Sequence, residues 1–549
     1  MDKRRGPIMV PRESPHYHRM RYYSAIRKGL KHMSQSTTYL DVPTHVIDDN
    51  AFIIFQTGRE DPHDRKHSSL STIFSIWNTM VGSGLFTIPW AFSNSGIVLG
   101  LIISFITFAI SYYTCSIYVR LARNDSDFAD TMYKYFGKKG WVVTMIFSIL
   151  LMFSVIVIYY ELMSQALFPV IAALIEWGGA SEVSLDMGLD LSRFSLFYTC
   201  IALTLILYPV VSKRDISMFI RLNSFGIIFV CFILIYILAY GFYSLSNTTF
   251  EISNEESDLE GTTRNISLFR NKFNNLAGMM TLGYYIHNVC ISIVKENKHP
   301  ENNTRDVFIG YFLVFLSYSL VGSLGYLGFS GYTFKANIRE TENLLYMFSA
   351  TDMLAFVIRI ICFCQMFSVY PMLFCVIRNQ FGTIFYQGRE LSNDIYLAFN
   401  ATLLIVATII GATFPKVGSI LGYVGGFIGL GLIYIIPISL FLKRYKLQIE
   451  DPNLVEALDN NTVRSVKRKN PEFSPKLVIE ESSTSSPGKQ DIVNQTSDMT
   501  LQESLLQNGS YKTYKKSFLK FYLLCVIHAF IVLIGIIILA LQFLSFEEW

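Results

Sequence analysis

Charged residues are scarce. Asp, Glu, Lys and Arg make up 16% of the 549 residues, where soluble domains carry about 25%. With 51% hydrophobic residues and a mean hydropathy of +0.37, this excludes an ordinary soluble enzyme. Catalytic and metal signatures are also missing: there is no nucleophile elbow, no HExxH zinc site and no CxxC pair. The eight cysteines, Cys115, Cys200, Cys231, Cys290, Cys362, Cys364, Cys375 and Cys525, all fall in apolar stretches and are expected to be buried hydrophobes. The first 69 residues lack the apolar core of a cleaved signal peptide.

What is present is a repetition of apolar stretches of about 20 residues, each long enough to cross a hydrocarbon core of about 30 Å as a helix. The expected spans are 71–92, 97–121, 141–168, 193–211, 216–243, 273–294, 306–331, 350–378, 394–412, 417–442 and 518–543. Basic residues fix their orientation. The N-terminal segment carries Arg4, Arg5, Arg19, Arg21, Arg27, Lys28 and Lys31, and alternate connections carry Arg120, Lys138, Lys139, Lys213, Arg214, Lys295, Lys298, Lys443 and Arg444. The opposite connections are poorer in them, so the N-terminus is expected in the cytosol and the short C-terminal tail outside or in a lumen. Two sequons, at Asn247 and Asn265, fall in a loop on the non-cytosolic side and are candidate glycosylation sites. Sequons also arise by chance, as at Asn400 within a span and Asn460 in a cytosolic loop. The domain plan is a cytosolic segment 1–69, a ten-helix core 70–444, a disordered cytosolic insertion 445–516 rich in Ser, Asn and Glu, and an eleventh helix with its tail in 517–549.

A carrier must expose polar groups at mid-membrane, and interrupted helices do so by freeing backbone carbonyls and amides. The first span contains Trp77-Asn78-Thr79-Met80-Val81-Gly82-Ser83-Gly84, followed by Pro89. The sixth contains Gly278, Thr281 and Gly283, then Tyr284-Tyr285-Ile286-His287-Asn288. These interruptions are five spans apart, the spacing of two inverted five-helix halves that each contribute one unwound helix. Each also has a plainer reading, since glycines permit close helix packing and polar residues satisfy neighbouring helices. The Ser368 hydroxyl is a hard oxygen suited to a cation such as sodium, although membrane serines commonly bond their own helix. His287 is either a proton relay or a histidine held by a neighbouring helix, and Glu161 and Arg359 are the clearest other intramembrane charges. No Walker loop supports ATP-driven transport.

With these residues in hand, the chain resembles the amino acid/auxin permease group and, within it, the sodium-coupled neutral amino acid transporter 9 family of lysosomal arginine-sensing transporters. Three blocks carry the resemblance: Thr72 to Ser83, Tyr285-Ile286-His287-Asn288 through Asp306, and Gln365 to Pro371. It implies an all-α membrane protein of about eleven transmembrane helices. The expected core is LeuT-like, with inverted five-helix repeats, broken first and sixth helices and a final extra helix. By position, the resemblance places Thr79, Met80, Gly82 and Ser83 at the amino-acid site, and Asn78 and Ser368 at a sodium site. The family has threonine where this chain has Ser83 and Ser368, which keeps the hydroxyl and loses the methyl.

The segment from His18 to Ile26 resembles the family's motif for docking onto Ragulator and the Rag GTPases, with Met20, Tyr23 and Ile26 at the anchor positions. The alternative is a basic, disordered tail near anionic lipid. The insertion 445–516 departs from the family pattern. So does the lack of cysteine in the lumenal loops, which implies that the family's lumenal disulfide is absent. The resemblance therefore implies a lysosomal or late endosomal carrier of arginine, leucine or other neutral amino acids that also activates TOR complex 1. Two alternatives stand beside it: a sodium-coupled permease of the plasma membrane with no signalling role, and a transport-inactive amino-acid receptor.

Overall fold

The computed structural model describes residues 68–122, 128–179, 183, 193–214, 218–219, 226–252, 263–295, 297–329, 342–348, 350–386, 391–450, 455 and 499–544. The fold is helical. In chain order the elements are α1 (Ser69–Met80), α2 (Ile88–Ser95), α3 (Ile97–Leu121), α4 (Phe128–Trp177), α5 (Leu196–Val211) and α6 (Gly226–Asn247). Two short parallel strands, β1 (Thr249–Ile252) and β2 (Thr263–Ile266), follow. Then come α7 (Asn274–Gly283), α8 (His287–Lys295), α9 (Asn303–Phe329), α10 (Met353–Phe385), α11 (Asn393–Thr413), α12 (Val417–Gly429), α13 (Ile436–Glu450) and α14 (Met499–Leu544).

Among the described residues, eight helices are long and apolar enough to cross a membrane. The expected spans without such a helix are the first and sixth, each divided into two shorter helices, and the fourth, which is the 16-residue α5. The first expected span ends as α1 at Met80, passes through a 3-10 turn at Ser83–Phe86, and resumes as α2 with Pro89 in its first turn. The sixth ends as α7 at Gly283 and resumes as α8 at His287. Both interruptions read from the sequence are therefore real breaks.

Other boundaries differ from expectation. The third span lies in α4, where two helical stretches follow one another across a kink at Gly137, whose φ of 67 is a left-handed backbone that glycine adopts without a Cβ clash. Between α12 and α13 the helix widens into a π turn over Leu430–Ile435, just before Pro437, whose missing N–H removes one bond of the regular ladder. Both ends of the expected disordered insertion are helical. α13 continues to Glu450, and α14 begins at Met499, where Leu501, Gln502, Glu503, Leu505, Leu506 and Gln507 are good helix formers. The remainder of that insertion, Val455 apart, and the segment 1–67 lie outside the described residues.

The divided helices are paired half to half: α1 packs on α8, and α2 on α7. At one end the chain before α7 is stitched to the α2–α3 junction. Ile97 N donates to Ser267 O at 3.1 Å, Val98 N to Leu268 O at 3.1 Å, and Arg270 N to Ser95 O at 2.8 Å. Gly96, at φ 80, permits this approach, since a Cβ there would lie 2.5 Å from the Leu268 carbonyl carbon. The long α9 lies across α1, α2, α3 and α6, and α10 packs on α4.

α7 and α12 touch through their backbones. Gly278 and Gly425 face each other so tightly that a Cβ on either would collide with the partner backbone, at Gly422 O and Gly278 O respectively. Small residues that bring helix backbones together in this way are what membrane packing exploits, because lipid supplies no hydrophobic drive between helices. The close-packing reading is thus the right one for Gly278. α14 covers the outer face of this pair, where Gln542 Nε2 donates to Asn274 O at 2.5 Å. The cysteines are mostly buried or half-buried as expected, but Cys364 is exposed on α10.

Gly278→Val is expected to destabilise the protein by about 3 kcal/mol or more, because the obstruction is backbone and cannot rotate away. Gly84→Ala, whose Cβ would meet nothing within 4 Å, should cost about 1 kcal/mol or less. Thermal unfolding of the two purified variants checks the contrast.

Candidate substrate and ion site

The two breaks converge on α9. Tyr318 donates its hydroxyl to Met80 O, the last residue of α1, at 2.6 Å, and the same oxygen lies 3.3 Å from Gly283 O, the last residue of α7. One phenol thus serves the carbonyl that each broken helix leaves open at its end. The fit at α7 is close, since a Cβ on Gly283 would come within 2.9 Å of the Tyr318 ring. Seven residues earlier on α9, Tyr311 donates to Tyr284 O at 3.1 Å. Trp77 Nε1 donates to Ser317 Oγ at 3.0 Å, so α9 also holds α1 just before its break.

The second break is held from the other side by α3. Tyr284 and Ser104 share a hydroxyl–hydroxyl bond of 2.8 Å. Thr114 Oγ1 and His287 Nε2 are 2.9 Å apart. His287 is fully buried, and its Nδ1 has no partner among the described residues. Of the two readings of this histidine, the one in which a neighbouring helix holds it has a visible partner. Beside it, the Tyr285 ring stacks on the imidazole.

The expected substrate residues are brought together around the first break, though not with equal freedom. Thr79 is half-buried and donates its hydroxyl to Ser75 O at 2.6 Å. Met80 is buried, and its carbonyl is the one engaged by Tyr318. Gly82 precedes the 3-10 turn and Ser83 opens it, so the first amides of that turn come before any intrahelical acceptor. A Cβ on Gly82 would meet nothing within 4 Å, which marks open space beside the break.

The two expected sodium ligands lie on different helices, α1 and α10. Asn78 is half-buried. Ser368 is buried and donates to Gln365 O of its own helix at 2.7 Å. That bond uses the hydroxyl proton and leaves oxygen lone pairs in place. Arg359, also on α10, donates to Leu345 O at 2.6 Å, Phe348 O at 3.0 Å and Ala350 O at 3.4 Å, so it anchors the segment before α10. Among the expected glycosylation sites, Asn247 is exposed at the end of α6, and Asn265 is half-buried in β2. Met20, Tyr23 and Ile26 lie outside the described residues. Sequence reasoning missed Tyr318, Tyr311 and Ser104, whose spacing within α9 and α3 has no signal that points across to another helix.

The family model described as transmembrane amino acid transporter protein matches residues 65–460, which span both breaks and every helix from α1 to α13. The chain belongs to this family. Members are transporters, not enzymes. The Caenorhabditis elegans protein named sodium-coupled neutral amino acid transporter 9 homolog is 29% identical over 482 residues, covering 78% of this chain and 75% of that protein. The Danio rerio protein named neutral amino acid transporter 9 is 29% identical over 472 residues, covering 76% of this chain and 83% of that protein. The Rattus norvegicus protein of the same name is 29% identical over 430 residues, covering 69% of this chain and 74% of that protein. Among solved structures, the inward-facing conformation of Mhp1 aligns with a TM-score of 0.42 at 13% identity, over 77% of this transporter and 97% of that chain.

Removing the Tyr318 hydroxyl leaves the Met80 carbonyl without its donor, a loss of about 1–3 kcal/mol. Tyr318→Phe is therefore expected to fold and to lose about tenfold or more in amino-acid uptake by proteoliposomes. Uptake equal to that of wild type would show that the bridge between the breaks is dispensable.

Proposed function

We propose that this transporter is a secondary carrier of the lysosomal or late endosomal membrane that moves arginine, leucine or other neutral amino acids and reports their presence to TOR complex 1. The observation that carries the transport half is the pair of helix breaks joined through Tyr318. In this reading, the open amides near Gly82 and Ser83 receive the substrate carboxylate, and the oxygens of Thr79 and Met80 receive its ammonium group. Gly82 leaves the approach unobstructed.

Sodium is the coupling ion we propose, and it is written into the name of the Caenorhabditis elegans relative. Asn78 and Ser368 supply hard oxygen atoms, and the Ser368 hydroxyl keeps its lone pairs after bonding to Gln365 O. The signalling half rests on the likeness of His18 to Ile26 to the family's docking motif. Met20, Tyr23 and Ile26, three residues apart, would fill a groove on Ragulator and the Rag GTPases while the intervening basic residues remain solvated. The cytosolic placement of this segment follows from the distribution of Lys and Arg.

Two measurements test the halves separately. In proteoliposomes, replacing sodium by choline should suppress uptake of labelled arginine and leucine. Ser368→Ala should raise the sodium concentration needed for half-maximal uptake by about tenfold, the effect of roughly 1.4 kcal/mol. In pull-downs with the full chain, Tyr23→Ala and Ile26→Ala should abolish capture of Ragulator and Rag GTPases. Capture that survives both substitutions removes the docking motif from the proposal and leaves the carrier.

A further inference from the structure

A second polar cluster lies away from the two breaks, where α4, α12 and the segment before α10 meet. Glu161 on α4 is fully buried. Its Oε1 accepts from Gln165 Nε2 at 3.2 Å, and its Oε2 has no partner among the described residues. Gln165 extends the network, reaching Pro415 O at 3.2 Å and accepting from Asn343 Nδ2 at 3.0 Å. The neighbouring Glu342 accepts from the backbone N–H of Ser419 at 3.1 Å and from its hydroxyl at 2.6 Å, in the first turn of α12. A second buried polar atom with no partner among the described residues, Tyr346 Oη, lies within electrostatic reach of Glu161.

Among the described residues, no cation answers this carboxyl. The charge that acts on Glu161 is that of Glu342, which has the same sign. Arg359 is occupied by the carbonyls of Leu345, Phe348 and Ala350, and its field reaches Tyr346, Asp352 and Tyr236. Lys416 acts on Glu342. From α5 the facing titratable group is Cys200, whose carbonyl accepts from Tyr160 of α4 at 2.7 Å. An ionised Glu161 would be a buried charge with no counter-ion among the described residues. A single proton removes that charge and gives Oε2 a hydrogen to donate.

We propose that Glu161, with Glu342 beside it, is a proton-binding site that couples proton uptake to closure of the side of the transporter assigned as non-cytosolic. The step is one proton from hydronium to the carboxylate, leaving water. Opening that side would part Glu342 from Ser419 and admit water to Glu161, where the ionised acid is stable. Only this difference in proton affinity between the states can shift their balance. Burial also raises the Glu342 carboxyl, against the pull of its bonds to Ser419 and Gly418 and of Lys416. Closure is thus favoured at low pH and is lost as pH rises through the closed-state value. The coupling rests on the transport reading above, whereas the proton site does not.

The test uses the full chain in lipid nanodiscs, followed by infrared spectroscopy through stepwise changes of pH. Wild type should show the carbonyl band of a protonated, buried acid, titrating with pH and absent from Glu161→Gln. Glu342→Gln, which removes a neighbouring like charge, should move the titration to lower pH. A band unchanged in Glu161→Gln overturns the proposal, as does a band that sodium abolishes at constant pH. If Glu161→Gln does not fold, a titration that Glu342→Gln leaves in place overturns it equally. In proteoliposomes, Glu161→Gln should lose the pH dependence of uptake. A wild type that shows the band but moves no amino acid defeats the transport reading and leaves the proton site standing.

Discussion

A helix interrupted within a membrane protein opens carbonyls and amides that hydrocarbon cannot satisfy, and this transporter interrupts two. Tyr318 meets a carbonyl from each, at Met80 and Gly283. The arrangement satisfies backbone groups that would otherwise be costly to bury, and it makes the two breaks neighbours across α9. Everything around it serves that meeting. Trp77 fixes α1 to α9 on one side of the first break, and Tyr311 fixes the chain just beyond the second.

The precision of such a bond depends on helices that do not drift. Gly278 and Gly425 allow α7 and α12 to touch through their backbones, an arrangement that any larger side chain prevents. The same α12 is held at its first turn by Glu342, so the end of α7's close partner is tied to the segment before α10. Arg359 anchors that segment in turn through three of its carbonyls. A movement near Glu342 is therefore placed to reach α7, and through α7 the break that Tyr318 supports.

Much of this was legible in the sequence, for identifiable reasons. Apolar length marks the membrane helices because the bilayer sets that length. The breaks at Gly82-Ser83-Gly84 and at Gly283 could be read because glycine falls there beside clustered polar residues, in two spans five apart, and not because glycine alone interrupts a span. What lay hidden depends on which residues face one another across helices. Tyr318 is one of 32 tyrosines, and nothing in its own stretch of sequence says that it answers two carbonyls 238 and 35 residues earlier in the chain. The helical start of α14 was hidden for a different reason, since a Ser- and Asn-rich average over 445–516 conceals a good helix-forming stretch at its end.

The geometry also separates the two breaks, which the sequence presents as equivalents. Beside Gly82 and Gly84 a methyl group would meet nothing within 4 Å, whereas at Gly283 it would strike the Tyr318 ring at 2.9 Å. The glycines are therefore there for opposite reasons: those at the first break leave room, and the one at the second allows contact. Tyr284, Tyr285 and His287 crowd the second break further, two of them bonded to α3 and all three buried or half-buried. A ligand recognised through backbone groups needs both an open amide and space in front of it. Only the first break combines the two, so the second is better suited to supply the wall and the packing against which a ligand at the first would rest.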